Sequence, residues 1–310
     1  MLFVFLIFFH TLNHPWIFYD EGTIYEETAV PIPGSFNEIF QIISSFGLSN
    51  NLSSSNYLYS SNTVTRANIF GAPFLLILGF FLKKNALLYH SLNLFLHLAN
   101  TTLVYLILRK IAFEYSFFSR PIIVLSTLLW AIHPTQAESV LLTTNIGATL
   151  SYFVFFILFY DFLKNKEENK TYLRKIILPI CFLIPMLLNE YIIMLPIILF
   201  IYSLIENCRL QIFTNAIKKT WEETLPYLAG LFIYSIYFLF SSYKFAQVTT
   251  SNSFLLNIER IFWLSPQIFV HYLKLISFPA VLSVDQTSFV KLGKSLLDPY
   301  SIACFVIVIL

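Results

Sequence analysis

Three groups of ionisable residues interrupt an otherwise apolar chain. Asp20 and Glu21 stand in Phe18-Tyr19-Asp20-Glu21-Gly22. His133 and Glu138 stand in His133-Pro134-Thr135-Gln136-Ala137-Glu138-Ser139-Val140. Asn189 and Glu190 stand in Leu188-Asn189-Glu190-Tyr191, and no other charge lies between Lys175 and Glu206. Carboxylates and an imidazole are the groups that move protons and hold cations. At a membrane boundary such groups cost several kcal/mol unless they face protein or water, which makes them functional candidates. Each also has a plain reading. An acidic pair past a helix marks a membrane surface. A His-Pro step ends a helix, because proline disfavours a helical residue before it. Glu138 reads equally as a solvated loop charge, whereas Glu190, set among long apolar runs, is hardest to dismiss. Arg260 reads as an anion contact or as a boundary anchor.

Weaker signals complete the chemical inventory. His90, Asn93 and His97 recur at helical spacing and draw a polar stripe on an apolar helix. Interhelical hydrogen bonding is the preferred reading, although the spacing also permits metal ligation. Cys181, Cys208 and Cys304 lie in or beside apolar runs and read as small packing residues. The chain has no Walker loop, no G-x-G-x-x-G and no H-E-x-x-H, so neither a nucleotide-driven pump nor a zinc protease is indicated.

Composition says what must position these groups. Of 310 residues, 57% are hydrophobic and only 12% charged, about half the charge of an ordinary soluble domain. Mean hydropathy is +0.72. A soluble fold has no means of hiding so much apolar surface, whereas a bilayer solvates it. The net charge of +2 gives no argument for nucleic acid. Apolar runs near 1–18, 86–108, 119–134, 145–163, 174–188, 190–207 and 223–242 read as spanning helices, with a further stretch at 258–280. The first run lacks a basic leader and a small-residue cleavage site, so it reads as an anchor. A last run begins near Tyr300, and the chain reads as the N-terminal part of something longer. The expectation is an all-α polytopic bundle of about 8–9 apolar helices, one membrane domain over 1–310.

Basic residues orient it. Arg109, Lys110 and Arg120 flank one connection; Lys164, Lys166, Lys170, Arg174 and Lys175 the next; Arg209, Lys218 and Lys219 a third. The positive-inside rule sets all three on the cytoplasmic side. That orientation holds only if 68–82, broken by Gly71, Pro73 and Gly79, lies on or dips into the outer leaflet. The region 19–85 then becomes one long outer loop, and all three ionisable groups reach the outer face. The orientation of 258–298 stays open.

With these residues in order, the chain resembles membrane glycosyltransferases of the glycosyltransferase-C superfamily. It is most similar to the branch of O-mannosyltransferase-like proteins that carry tetratricopeptide repeats after the membrane domain. The acidic pair after the first span is matched by Asp20-Glu21. A His-x-x-Asn-x-x-x-His helix is matched by His90, Asn93 and His97, and a His-Pro-x-x-x-Glu-x-Val turn by His133, Pro134, Glu138 and Val140. A Ser-Lys-Glu turn followed by proline is matched in part by Asn189, Glu190 and Pro196. Pro279-Ala280-Val281-Leu282-Ser283 resembles a late Pro-x-x-Leu-Ser element. The chain departs from the pattern in having Asp-Glu for Asp-Asp, Arg66-Ala67-Asn68 for Arg-Pro-Leu, and no lysine before Glu190.

The resemblance implies a mannose-like hexose moved from a polyprenyl-phosphate donor to a protein or glycan hydroxyl, with inversion. The membrane would be a bacterial inner membrane or endoplasmic reticulum, with the site facing outward or into the lumen. Asp20 would be the base and Glu21, Glu138, Asn189 and Glu190 substrate-orienting residues. His133 and Arg260 would contact the leaving phosphate. A metal is optional for a monophosphate leaving group, although the acids suit Mg or Mn. Two rivals remain: a transporter or lipid flippase, and a catalytically inactive membrane scaffold.

Overall fold

A computed structural model describes residues 1–14, 34–41, 71–83, 85–115, 118–164, 172–188, 190–246, 254–279 and 298–309. Those residues are 91% helix with no strand among them, so the fold is all-α as expected. The helices are α1 (Leu2–Phe8), α2 (Gly71–Leu82), α3 (Ala86–Tyr115), α4 (Arg120–Ile132), α5 (Gln136–Leu141), α6 (Ile146–Lys164), α7 (Tyr172–Leu188), α8 (Met194–Leu210), α9 (Phe213–Ala246), α10 (Phe254–Ser277) and α11 (Pro299–Ile309). The chain forms two compact units. Unit 1 is Met1–Ile132 with Ser139–Tyr243, and unit 2 is His133–Glu138 with Lys244–Leu310.

The ends of these helices follow local chemistry. The first run was expected to stay helical to residue 18. Instead α1 tightens to a 3-10 turn over Phe9–Asn13, and His14 is extended at φ −75° and ψ 138°. Pro15 explains the correction, because its ring excludes the helical conformation from His14. Thr11 Oγ1 donates to the Phe8 carbonyl at 2.7 Å and closes the last turn. Pro134 likewise ends α4 at Ile132, two residues short of the expected end. At α11, Asp298 Oδ1 accepts from the Tyr300 N–H at 2.9 Å, with Pro299 in the first helical position. The helix α2 occupies most of the 68–82 run and ends on Lys83 at φ 52°.

Other helices outrun their apolar cores. α3 has 30 residues, about 45 Å, and continues past Arg109 and Lys110. Lys110 and Glu114 pair at 2.9 Å one turn apart, and Tyr202 of α8 donates to Glu114 at 2.8 Å. α9 has 34 residues and begins ten residues before the expected 223, only Gln211 and Ile212 separating it from α8.

Within unit 1, α6, α7, α8 and α9 share a core of Leu158, Phe162, Phe182, Met186, Leu195, Leu199 and Tyr227. At Gly230 of α9 an added Cβ would lie 2.8 Å from Phe182 Cδ1 and 3.4 Å from the Pro179 carbonyl, so only glycine lets the helices approach this closely. α1 packs with α3 and α4 through Val4, Phe8, Leu94 and Ala131. α2 packs against the starts of α3 and α6 through Phe74, Leu78, Tyr89 and Ile146.

Several helices bury polar side chains beside the apolar core and leave large apolar ones exposed. α4 buries Ile123, Thr127 and Ala131, while Leu125 and Leu129 are 57% and 56% exposed. α8 buries Ser203 and Asn207 and exposes Ile197, Ile201 and Ile205. α3 buries His90, Asn93, His97 and Asn100 and exposes Phe95 and Phe113. Among the described residues, two helices, Ala86–Glu114 and Ile146–Lys164, are long and apolar enough to cross a membrane. Less than half of either apolar window is buried inside the protein, 44% and 39%.

Candidate functional site

The buried stripe of α3 ties together one end of unit 1, where α3 and α6 begin and α4 and α7 terminate. Helix ends leave carbonyls without intrahelical partners, and buried ones must find donors. His97 Nε2 lies 3.0 Å from the carbonyl of Ala131, in the last turn of α4. Asn93 Nδ2 donates to the carbonyl of Leu142 at 2.7 Å, with Val140 O at 3.4 Å, where α5 gives way to a 3-10 turn. Asn100 Nδ2 donates to Thr149 O at 3.1 Å in the first turn of α6. From α6, Ser151 Oγ reaches the Pro185 carbonyl of α7 at 3.1 Å. The His97 ring also stacks on Trp130 and meets Phe8 edge-on. Interhelical hydrogen bonding, the reading preferred from the spacing, is what Asn93 and His97 do. These bonds fix the two amides: each Nδ2 faces a carbonyl, so each Oδ1 points elsewhere, and the buried Asn93 Oδ1 and Asn100 Oδ1 accept no hydrogen bond.

The His-Pro turn makes a second cap, inside unit 2. His133 Nδ1 accepts from the backbone N–H of Thr135 at 3.3 Å and lies 2.7 Å from its Oγ1. Nε2 lies 2.9 Å from the carbonyl of Ile276, in the last turn of α10. A nitrogen that accepts an N–H carries no proton of its own. Nε2, facing a carbonyl, donates to Ile276. The donor sits at a helix C-terminus, where orphan carbonyls and the helix dipole favour one.

The candidates proposed from sequence fall as follows. Asp20, Glu21 and Asn189 lie outside the described residues. Glu190 opens the 3-10 turn Glu190–Ile193 that leads into α8, and Arg260 lies in α10; the side chains of both are outside the described set. Glu138 is exposed in the first turn of α5. Among the described residues, His133 and Glu138 stand in the same short turn between α4 and α6. Among the described residues, no three His, Cys, Asp or Glu side chains converge to hold a metal.

One cluster was not anticipated. At the hairpin where α8 ends and α9 begins, Ser203 and Asn207 of α8 face Thr220 and Glu223 of α9, all four buried. Ser203 Oγ donates to Glu223 Oε2. Asn207 Nδ2 lies 3.1 Å from Ser203 Oγ, 3.2 Å from Thr220 Oγ1 and 3.2 Å from Glu223 Oε2. Lys219 Nζ approaches the other carboxylate oxygen at 3.9 Å. The signal was present as polar residues four apart on one apolar helix and three apart on the next. It was read instead as a span boundary at Glu223. In unit 2, a smaller polar pair joins α10 to α11, Gln267 Nε2 donating to Ser301 Oγ at 2.8 Å.

No protein-family profile, curated protein or solved structure matches the chain.

Proposed function

We propose that the protein is a multi-pass integral membrane glycosyltransferase that moves a hexose from a polyprenyl-phosphate donor to a hydroxyl on the outer or lumenal side. One observation carries the membrane part. Large apolar side chains lie outside on α3, α4 and α8 while amides, hydroxyls and imidazoles lie inside, the distribution that lipid as solvent demands. Support for transfer comes from the order of the acidic pair, the His-Asn-His helix, the His-Pro turn and the Glu190 hairpin along the chain.

In this reading the donor's tail lies in the bilayer and its head reaches the ends of the helices. Asp20 takes the proton of the acceptor hydroxyl as the oxygen attacks the anomeric carbon, and the phosphate leaves from the opposite face. Glu21, Glu138, Asn189 and Glu190 orient the sugar, and the acids suit Mg or Mn if a divalent ion takes part. Arg260 and His133 stabilise the departing phosphate. For His133 this requires that Nε2–H exchange the Ile276 carbonyl for a phosphate oxygen.

The test is transfer from labelled polyprenyl-phosphate sugars by membranes holding the protein, with Asp20→Asn beside the wild type. Transfer lost in the variant supports the reading. No transfer from any donor by intact protein sinks it.

A second reading has its own observation. Both ring nitrogens of His133 are already engaged within the fold, and the stripe of α3 ties helix ends. A membrane scaffold needs nothing more from these residues. Unchanged function in cells after Asp20 and Glu138 are replaced together would favour it.

A further inference from the structure

Two histidines take no part in the proposed transfer. His10 lies in the 3-10 turn Phe9–Asn13 that ends α1, and His14 is the first residue past it. Phe8, just before them, is buried against α3 and α4, whereas both histidines are exposed.

The backbone brings the two rings together. On a regular helix, residues four apart share one face. Here the last turn is tightened and His14 is extended, its N–H held by the Thr11 carbonyl at 3.1 Å. Its ring nonetheless comes back over His10: the centroids are 5.6 Å apart and the planes cross at 78°. Among the described residues, neither ring makes a hydrogen bond or an ion pair, and the contact of each is with the other. Their nitrogens are open to water and to solutes.

Imidazole is the commonest protein ligand for metals and suits zinc, nickel and copper. A Zn–N bond is about 2.0–2.1 Å, so two rings on one tetrahedral ion stand roughly 5 Å apart, centroid to centroid. The observed pair is close to that spacing. Rotation about the soft χ2 of each histidine turns one nitrogen of each ring toward a common point.

We propose that His10 and His14 chelate a late first-row divalent cation, of the zinc, nickel and copper class, at the exit of α1. Water completes the coordination, so the pair makes an open site rather than a closed structural one. The donors set the selectivity. Nitrogen ligands favour these ions, whereas magnesium and calcium take oxygen donors. The site is thus distinct from any magnesium or manganese ion held by the acids, and it does not depend on sugar transfer. The bound ion would lock the last turn of α1 to the residue that follows it.

The test uses the full chain, free of any polyhistidine tag, in detergent micelles. Isothermal titration calorimetry should show saturable binding of one Zn²⁺ or Ni²⁺ per chain and no binding of Mg²⁺. His10→Gln and His14→Gln should each weaken binding at least about tenfold, because one ring alone loses the chelate. Both side chains are exposed, so neither change removes packing. Binding that survives either substitution assigns the ion to another histidine or to the exposed Cys208, and overturns the proposal. Absence of zinc and nickel binding by the folded chain overturns it as well, as does equal binding of magnesium. None of these outcomes bears on the transfer assay.

Discussion

Two buried polar clusters hold unit 1 together, and they work in opposite ways. On α3, His97, Asn93 and Asn100 each reach outward to a different backbone carbonyl, on α4, in the α5–α6 connection and on α6. On α8 and α9 the polar side chains reach one another, and their oxygens meet around a single nitrogen. The first arrangement ties each side chain to a separate backbone carbonyl, among them Ala131 at the end of α4, so it is a set of independent ties. The second gathers a carboxylate with hydroxyls and an amide into one network of side chains. The conspicuous asparagines and histidine anchor backbone, whereas the unremarkable Ser, Asn, Thr, Glu set joins two helices of one hairpin.

The comparison breaks most visibly at Asn207. Asn207→Leu removes one donor from the buried Glu223 carboxylate, which keeps Ser203 and Lys219, and the expected loss is about 1–3 kcal/mol of unfolding free energy. Adding Glu223→Leu removes that charge, so the double variant should be more stable than the sum of its parts by at least ~1 kcal/mol. Denaturant unfolding in micelles measures both. Simple additivity would mean that the four residues are not one network.

The α3 stripe should behave differently. Asn93→Leu removes one of two donors to the Leu142 carbonyl, which keeps the Asn145 N–H, and costs about 0.5–1.5 kcal/mol. Asn100→Leu does the same to Thr149 at the lower end of that range, since Thr149 lies inside α6. Because the two amides serve separate carbonyls, their effects should add to within ~0.5 kcal/mol. Strong coupling between them would instead indicate a shared ligand or water chain joining their free amide oxygens.

The same contrast explains what the sequence revealed. The all-α fold was legible because apolar runs bounded by charges admit few other readings. Helix ends at His14 and His133 are written plainly as His-Pro steps, yet the first was missed because the apolar run continues past it to Phe18. The α3 stripe was visible because histidine and asparagine stand out in an apolar helix, and its use in tying helices follows from the need of buried polar groups for partners. The α8–α9 cluster was missed because its members sit on two helices near basic residues, where polar side chains look like a membrane boundary. Only the tight connection over Gln211 and Ile212, which turns α9 back on α8, brings them face to face.

His133 lets the contrast be tested in unit 2. If it is a cap, His133→Ala removes the donor to the Ile276 carbonyl and lowers stability by about 1 kcal/mol without any substrate present. His133→Gln tests the same bond with a longer amide donor and should restore part of that loss. A variant that keeps its unfolding midpoint but loses sugar transfer would show instead that the ring's main partner is a substrate. Loss of both in proportion would assign His133 to the structural class, with the α3 stripe.

The smallest effect expected comes from a residue in neither cluster, and it sets the scale for the others. Lys83 ends α2 at φ 52°, a left-handed conformation that crowds the Cβ of any residue but glycine. Its N–H still bonds the Gly79 carbonyl at 2.8 Å, so the turn is held by backbone rather than by the lysine side chain. Lys83→Gly should therefore stabilise the protein by a few tenths to about 1 kcal/mol, the strain relieved being partly offset by glycine's greater freedom when unfolded. Lys83→Ala keeps the Cβ and should give no such gain. If alanine stabilised as much as glycine, the lysine's charge and not its backbone would be the source of strain, and α2 would end for an electrostatic reason.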